Sequence, residues 1–84
     1  MKVIMTNEKI ISLENLMSVE RLVITESKHT KRGEPYYLFN SAIIIKYFGG
    51  DFERIDFNDF ESRKEIDEKL TESMEKIFAR LKDN

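Results

Sequence analysis

Three groups of residues in this chain have types and spacing that could do chemistry. The first is Lys28-His29-Thr30-Lys31-Arg32, followed closely by Tyr36 and Tyr37. Lysine and arginine neutralise phosphates, and a tyrosine on a sheet surface can stack under an unpaired base. Lys28, His29, Lys31, Arg32, Tyr36 and Tyr37 are therefore the candidate contacts to single-stranded nucleic acid. Glu26 and Glu34 flank the set and it is short, so a solvated charged loop is the reading that its composition favours. The second is His29 itself, the sole histidine. A catalytic histidine needs a group that orients it and a proton or nucleophile in reach, and a charged loop holds such geometry poorly. Without a second histidine or any cysteine, the usual transition-metal ligand sets cannot be completed.

The third group is Asp51, Glu53, Asp56, Asp59 and Glu61, offset only by Arg54. Neighbouring carboxylates could hold a hard cation or divide acid and base roles. Their order does not match the calcium loop, and each has an ordinary use: Asp51 in a turn, Glu53 and Asp56 facing water, Asp59 and Glu61 near a helix start. Gly49-Gly50 likewise reads as a turn, because no further glycine or phosphate-loop lysine follows. No catalytic, cofactor-binding or metal site is assembled from these residues, so the expectation is a non-enzymatic chain without a cofactor.

The element that must organise the rest is the last third. From Phe60 to Leu81, residues Ile66, Leu70, Met74, Ile77, Phe78 and Leu81 recur at steps that place them within an arc of roughly 120° on a helix. Glu65, Lys69, Glu72 and Lys76 lie outside the arc, with Glu65→Lys69 and Glu72→Lys76 in the favourable i,i+4 order. Ser62-Arg63-Lys64-Glu65 fits a capping box, with Asn58 and Asp59 as rival caps. Asp67 sits on the flank of the stripe near Phe78. The stripe can be covered by the chain's own sheet or by a second copy; a helix on a sheet accounts for all of it and is preferred.

The preceding residues supply the sheet. Val3–Met5 and Ile10–Leu13 predict an N-terminal hairpin with Asn7 at its turn. Leu16 to Ile24 reads as a helical turn and then a strand from about Val19 to Thr25, or as one bulged strand; the alternation of Leu22 and Ile24 favours the first. Residues 26 to 35 show no apolar period and read as an exposed loop, free to move because it has little to bury. Tyr36 to Phe48 is the most β-like run, apolar at both parities, which predicts a central strand covered on both faces and interrupted at Asn40-Ser41. Gly49-Gly50-Asp51 predicts a hairpin turn, and Phe52, Ile55 and Phe57 a last strand with an irregularity near Glu53 or Arg54.

The 84 residues carry a formal charge of −2 with both signs dispersed, which points to no dedicated polyanion binder. With no cysteine, stability rests on packing, and one sheet face against one helix is marginal at this length, so pairing with a second copy would supplement it. No signal peptide or membrane-length apolar run is visible, so no membrane partner is expected and the expected location is cytoplasmic.

Lys9-Ile10-Ile11-Ser12-Leu13-Glu14-Asn15, a variable stretch, a tyrosine-bearing long strand and Phe60-Glu61-Ser62-Arg63-Lys64-Glu65 opening a final helix form a layout that resembles small uncharacterised proteins of bacteria and their prophages. This chain departs from them in lacking an aromatic residue close to the N-terminus. The resemblance implies a strongly bent antiparallel sheet with a C-terminal helix, similar to a pleckstrin-homology-type half barrel, and assigns no functional residue.

The expected architecture is thus α+β: one domain over 1–84, a single antiparallel sheet of about five strands over 1–57, packed by one long helix over about 60–82. The expected function is a small interaction module whose partner is a protein, with self-association as a homodimer, presenting a sheet edge or the 26–35 segment. The alternative is a nucleic-acid accessory protein using the basic segment 28–32 with Tyr36 and Tyr37.

Overall fold

A computed structural model describes residues 2–6 and 8–82. In chain order these form β1 (Val3–Met5), β2 (Ile10–Ser12), β3 (Leu16–Arg21), β4 (Thr25–Lys31), β5 (Glu34–Tyr47), β6 (Phe52–Phe60) and α1 (Arg63–Lys82). The architecture is α+β and antiparallel throughout, with the helix last. Among the described residues the strands number six rather than about five, and they divide into two sheets rather than one, a β1–β2 hairpin and a four-stranded sheet built on β5. The physical reason is the turn at Glu14-Asn15. Asn15 takes a left-handed φ of 58° and swings the chain away from the hairpin before β3 begins.

Helix α1 starts where Ser62 caps it. The Ser62 hydroxyl accepts from the Glu65 N–H at 3.3 Å, so Ser62 prevails over Asn58 and Asp59. Ile66, Leu70 and Ile77 are fully buried, Met74 and Leu81 pack beside them, and Phe78 alone of the expected stripe stays largely exposed. The stripe is therefore used on the chain's own sheet. Of the outer-face charges, Glu72 pairs with both Lys76 and Lys69, at 3.6 and 3.8 Å. Asp67 lies outside the core and pairs with Arg21, whose Nη1 also donates to Thr71 Oγ1 at 3.3 Å, tying β3 to the helix.

β5 is the central strand. β6 runs along one of its edges from Lys46 back to Phe39, while β3 and then β4 share the other edge, opposite 47–43 and 40–34 respectively. Its odd-numbered residues face α1: Ile43 and Ile45 are completely buried, with Phe39 and Tyr47 against the same cluster of Ile11, Leu13, Ile66, Leu70 and Ile77. Among the described residues no helix lies over the other face, so the cover that the two-parity pattern predicted is only partial: Ala42 is fully buried and Ile44 half-buried. There Ile44 and Ala42 are flanked by ion pairs of Lys46 with Glu20 at 3.1 Å and Arg54 with Asp56 at 2.6 Å. The stems of such residues shield a small apolar patch while their charges remain in water.

The register shift foreseen at Asn40-Ser41 is present, but the extra residue belongs to β6. Asp59 adopts a φ of 62° and donates its N–H to Asn40 Oδ1 at 2.9 Å. The irregularity of β6 thus lies there, and pairing is continuous through Glu53 and Arg54, because Glu53 stays on the inner side and bonds Lys9 at 2.6 Å. β3 begins earlier than Val19 and carries its own bulge between Leu16 and Ser18. It ends at Arg21: Leu22 still donates its N–H to the Ala42 carbonyl at 2.9 Å, but its own carbonyl accepts from Ser41 Oγ at 2.8 Å, and the chain then leaves the ladder until Thr25. At the other end of the sheet Gly49 and Gly50 both have positive φ, as a tight turn between β5 and β6 requires.

The N-terminal hairpin pairs Val3 with Ser12 and Met5 with Ile10. Asn7 lies outside the described residues; the turn is held by Thr6, whose hydroxyl accepts from the Lys9 N–H at 3.1 Å. Lys2 fastens the hairpin to the helix by donating its ammonium to the Leu81 carbonyl at 2.7 Å, where the negative end of the helix dipole favours a cation.

Candidate functional site

The stretch 26–35, expected to be a mobile loop, is most of a β-ribbon. β4 pairs with the first half of β5 from Thr25 opposite Asn40 to Lys31 opposite Glu34. The connection is the two residues Arg32 and Gly33, with φ of 53° and 79°. Left-handed backbone at both central positions is the type I′ geometry that matches the twist of a hairpin. β-branched Thr25 and Thr30 and aromatic Tyr36 and Tyr37 suit the flanking strands. A two-residue turn ending in glycine between two runs of equal length was the available sign; the absence of apolar alternation concealed it. Alternation fails because β6 accompanies β5 only as far as Phe39, so from Leu38 outward the ribbon is two strands wide, and residues 34–37 are exposed whichever face they occupy. It projects as an arm, and the molecule measures 53 × 24 × 21 Å.

All six residues put forward for nucleic acid lie on this arm, but it divides them. Directly opposed residues share a face. Lys28 with Tyr37 occupies one face; His29 with Tyr36, and Lys31 with Glu34, occupy the other; Arg32 is in the turn. Both tyrosines are exposed, 42 % for Tyr36 and 44 % for Tyr37. They cannot form one stacking platform. The His29 and Tyr36 rings stack on each other at 5.3 Å, which already occupies one surface of each.

A polar ladder supports that stack. Ser27 Oγ lies 3.0 Å from His29 Nε2, and Asn40 Nδ2 donates to the same hydroxyl at 3.4 Å. Serine and histidine at this separation have the reach of a nucleophile and base. They stand side by side on an open ribbon face, and the groove along the arm is lined by Tyr36, Tyr37, Leu38 and Phe39 without either of them. The carboxylates considered for a cation are dispersed: Glu53 is bonded to Lys9, Asp56 to Arg54, and Asp59 sits at the bulge. Among the described residues no three histidine or acidic side chains converge on a point that could hold a metal ion.

What the arm offers chemically is backbone. A two-residue turn makes Lys31 and Glu34 a hydrogen-bonded pair, so in β4 the N–H and C=O groups of 25, 27, 29 and 31 face β5. Those of Glu26, Lys28 and Thr30 face outward, and no strand among the described residues lies beside them. On the opposite edge Pro35 and Tyr37 face outward, and proline contributes no N–H there. The carboxylates of Asp59 and Glu61 border that side. The β5 edge is therefore blunted, whereas the β4 edge is open along its length.

Titration is perturbed away from the arm. Burial, and then the negative charge of Glu53, raise the Tyr47 phenol above its ordinary value, partly offset by Lys9. Its hydroxyl donates to the Ser12 carbonyl at 2.5 Å. The hydrogen bond to Glu53 raises the Lys9 ammonium, with burial acting in the opposite sense. Exposed apolar side chains occur elsewhere too, including Val23, Phe48 and Phe52, but without an open strand edge on an arm. No helix among the described residues is long and apolar enough to cross a membrane. Compared with family models, with curated proteins and with solved structures, the chain matches none.

Proposed function

We propose that this chain is a small non-enzymatic protein-interaction module that associates through its projecting arm. The observation that carries this reading is the open β4 edge, held clear of the core on a ribbon that buries almost nothing of its own. Backbone groups in such an edge are satisfied by water alone, and a partner strand replaces that water with a regular ladder. An isolated two-stranded ribbon is also marginally stable, so a third strand orders it as it binds. Self-association follows naturally, because every copy carries the same edge.

The alternative, contact with single-stranded nucleic acid through Lys28, His29, Lys31, Arg32, Tyr36 and Tyr37, retains the basic tip but gains no platform, since the aromatic rings fall on two faces. Size-exclusion chromatography with light scattering, run over a wide concentration range while absorbance is recorded at two wavelengths, separates the two. The expected result is a species heavier than the monomer, or a retained protein, that is lost when 28–37 is replaced by Asn-Gly joining Ser27 to Leu38. A chain that stays monomeric and captures no protein overturns the reading. A monomer carrying nucleic acid that salt removes favours the alternative.

A further inference from the structure

We infer that the occupant of the β4 edge is the β4 edge of a second copy, paired antiparallel about a two-fold axis at Ser27. This rests on the interaction-module reading and specifies its partner, surface and register. Antiparallel joining of two identical edges requires a two-fold perpendicular to the sheet, so outward-facing residues of one copy meet outward-facing residues of the other. The outward set is Glu26, Lys28 and Thr30. With Ser27 on the axis, Glu26 lies opposite the second copy's Lys28, and Lys28 opposite its Glu26. Two opposite-charge pairs form on one face, each in a position where the residues also exchange both backbone hydrogen bonds.

The neighbouring registers are penalised. Moving the axis to Lys28 sets two ammonium groups against each other, and moving it to Glu26 sets two carboxylates together; like charges directly opposed destabilise a ladder. Moving it to His29 leaves Lys28 opposite a neutral threonine and brings Glu26 against Arg32, which is in the turn and outside the strand. The alternation of Glu26 and Lys28 thus selects one register. Glu26 and Lys28 are both exposed and neither is engaged in an ion pair among the described residues, so both are available. The product is a continuous sheet in the order β5, β4, then β4 and β5 of the second copy, with both bodies at its ends. The contact is a single short strand pair, and a concentration-dependent dimer of modest affinity is expected.

Charge exchange in the full-length chain tests this. Glu26→Lys and Lys28→Glu each turn two attractive pairs into two repulsive ones and weaken the homodimer about tenfold or more by light scattering. The two variants mixed in equal amounts restore all attractive pairs, so the mixture dimerises as a heterodimer, and the double exchange E26K/K28E dimerises like the original. Circular dichroism checks that the exposed substitutions leave the fold intact, and recovery on mixing shows it independently. If the unaltered chain dimerises but the single variants do so equally well, this register is overturned while self-association stands. If the unaltered chain is monomeric at every concentration, both are overturned.

Discussion

The two halves of β5 belong to one strand and lead opposite lives. From Ile43 to Lys46 the strand has neighbours on both edges and a helix over one face, and Ile43 and Ile45 are wholly excluded from water. From Glu34 to Tyr37 it has one neighbour and no covering layer, and every residue is exposed. Burial of apolar surface holds the first half, whereas the second is held by a ladder and a turn. The difference teaches that secondary structure can outrun the core, and that where it does, its unpaired edge becomes the feature of interest.

Removal of a core side chain tests the first half most severely. Leu70→Ala leaves a cavity against Ile43 and Ile45 and costs about 2–5 kcal/mol, read as a lower midpoint in chemical denaturation. Tyr37→Ala on the arm shifts that midpoint by no more than about 0.5 kcal/mol, as expected of an exposed position. Equal losses at the two sites would erase the distinction between core and arm.

A smaller effect is expected at the turn. Gly33 has a φ of 79° and open space where a Cβ would stand, so Gly33→Ala costs backbone strain alone, about 1 kcal/mol. Hydrogen exchange should show faster opening of the β4 amides while the amides of Ile43 and Ile45 keep their protection. Arg32→Asn, which suits the left-handed geometry better, should slow opening of the arm by a lesser amount. Spread of either effect into the core would mean that the two halves unfold as one unit.

The least effect concerns pH. The raised Tyr47 phenol means that folding favours its protonated form, so its contribution is fully present below the ordinary value of 10.0 and is lost as pH rises through the folded value. The raised Lys9 ammonium loses its contribution in the same direction above 10.5. Stability should therefore fall at strongly alkaline pH, and Tyr47→Phe should shrink the fall without touching the arm. A Tyr47→Phe chain with an unchanged alkaline profile would remove the phenol from the account.

The core half was legible in the sequence because its signals are repetitive. Six stripe positions on α1 and the β-rich run of β5 each repeat a period often enough to be read, and Ser62 announced the helix start. The arm was illegible for the same reason. Solvent bathes both of its faces, so no periodicity is selected, and its polar strands look like a loop. Arg32-Gly33 carried the information, yet arginine is not the residue type by which a left-handed first position is usually noticed. The pairing of Asp67 with Arg21 was hidden because it joins residues 46 positions apart, and nothing local marks it.

The bond from Lys2 to the Leu81 carbonyl has a consequence for the molecule as a whole. The Lys2 carbonyl accepts from Leu13, and the Asn15 carbonyl from Phe48, so residues 2 and 81 meet beside the end of β5 farthest from Arg32-Gly33. A rod results, with both threads of chain tied at one pole and the bare ribbon at the other. A fluorophore or cargo carried at the tied pole leaves the ribbon unobstructed. Two copies joined ribbon to ribbon would hold such cargoes at the far extremities of the pair.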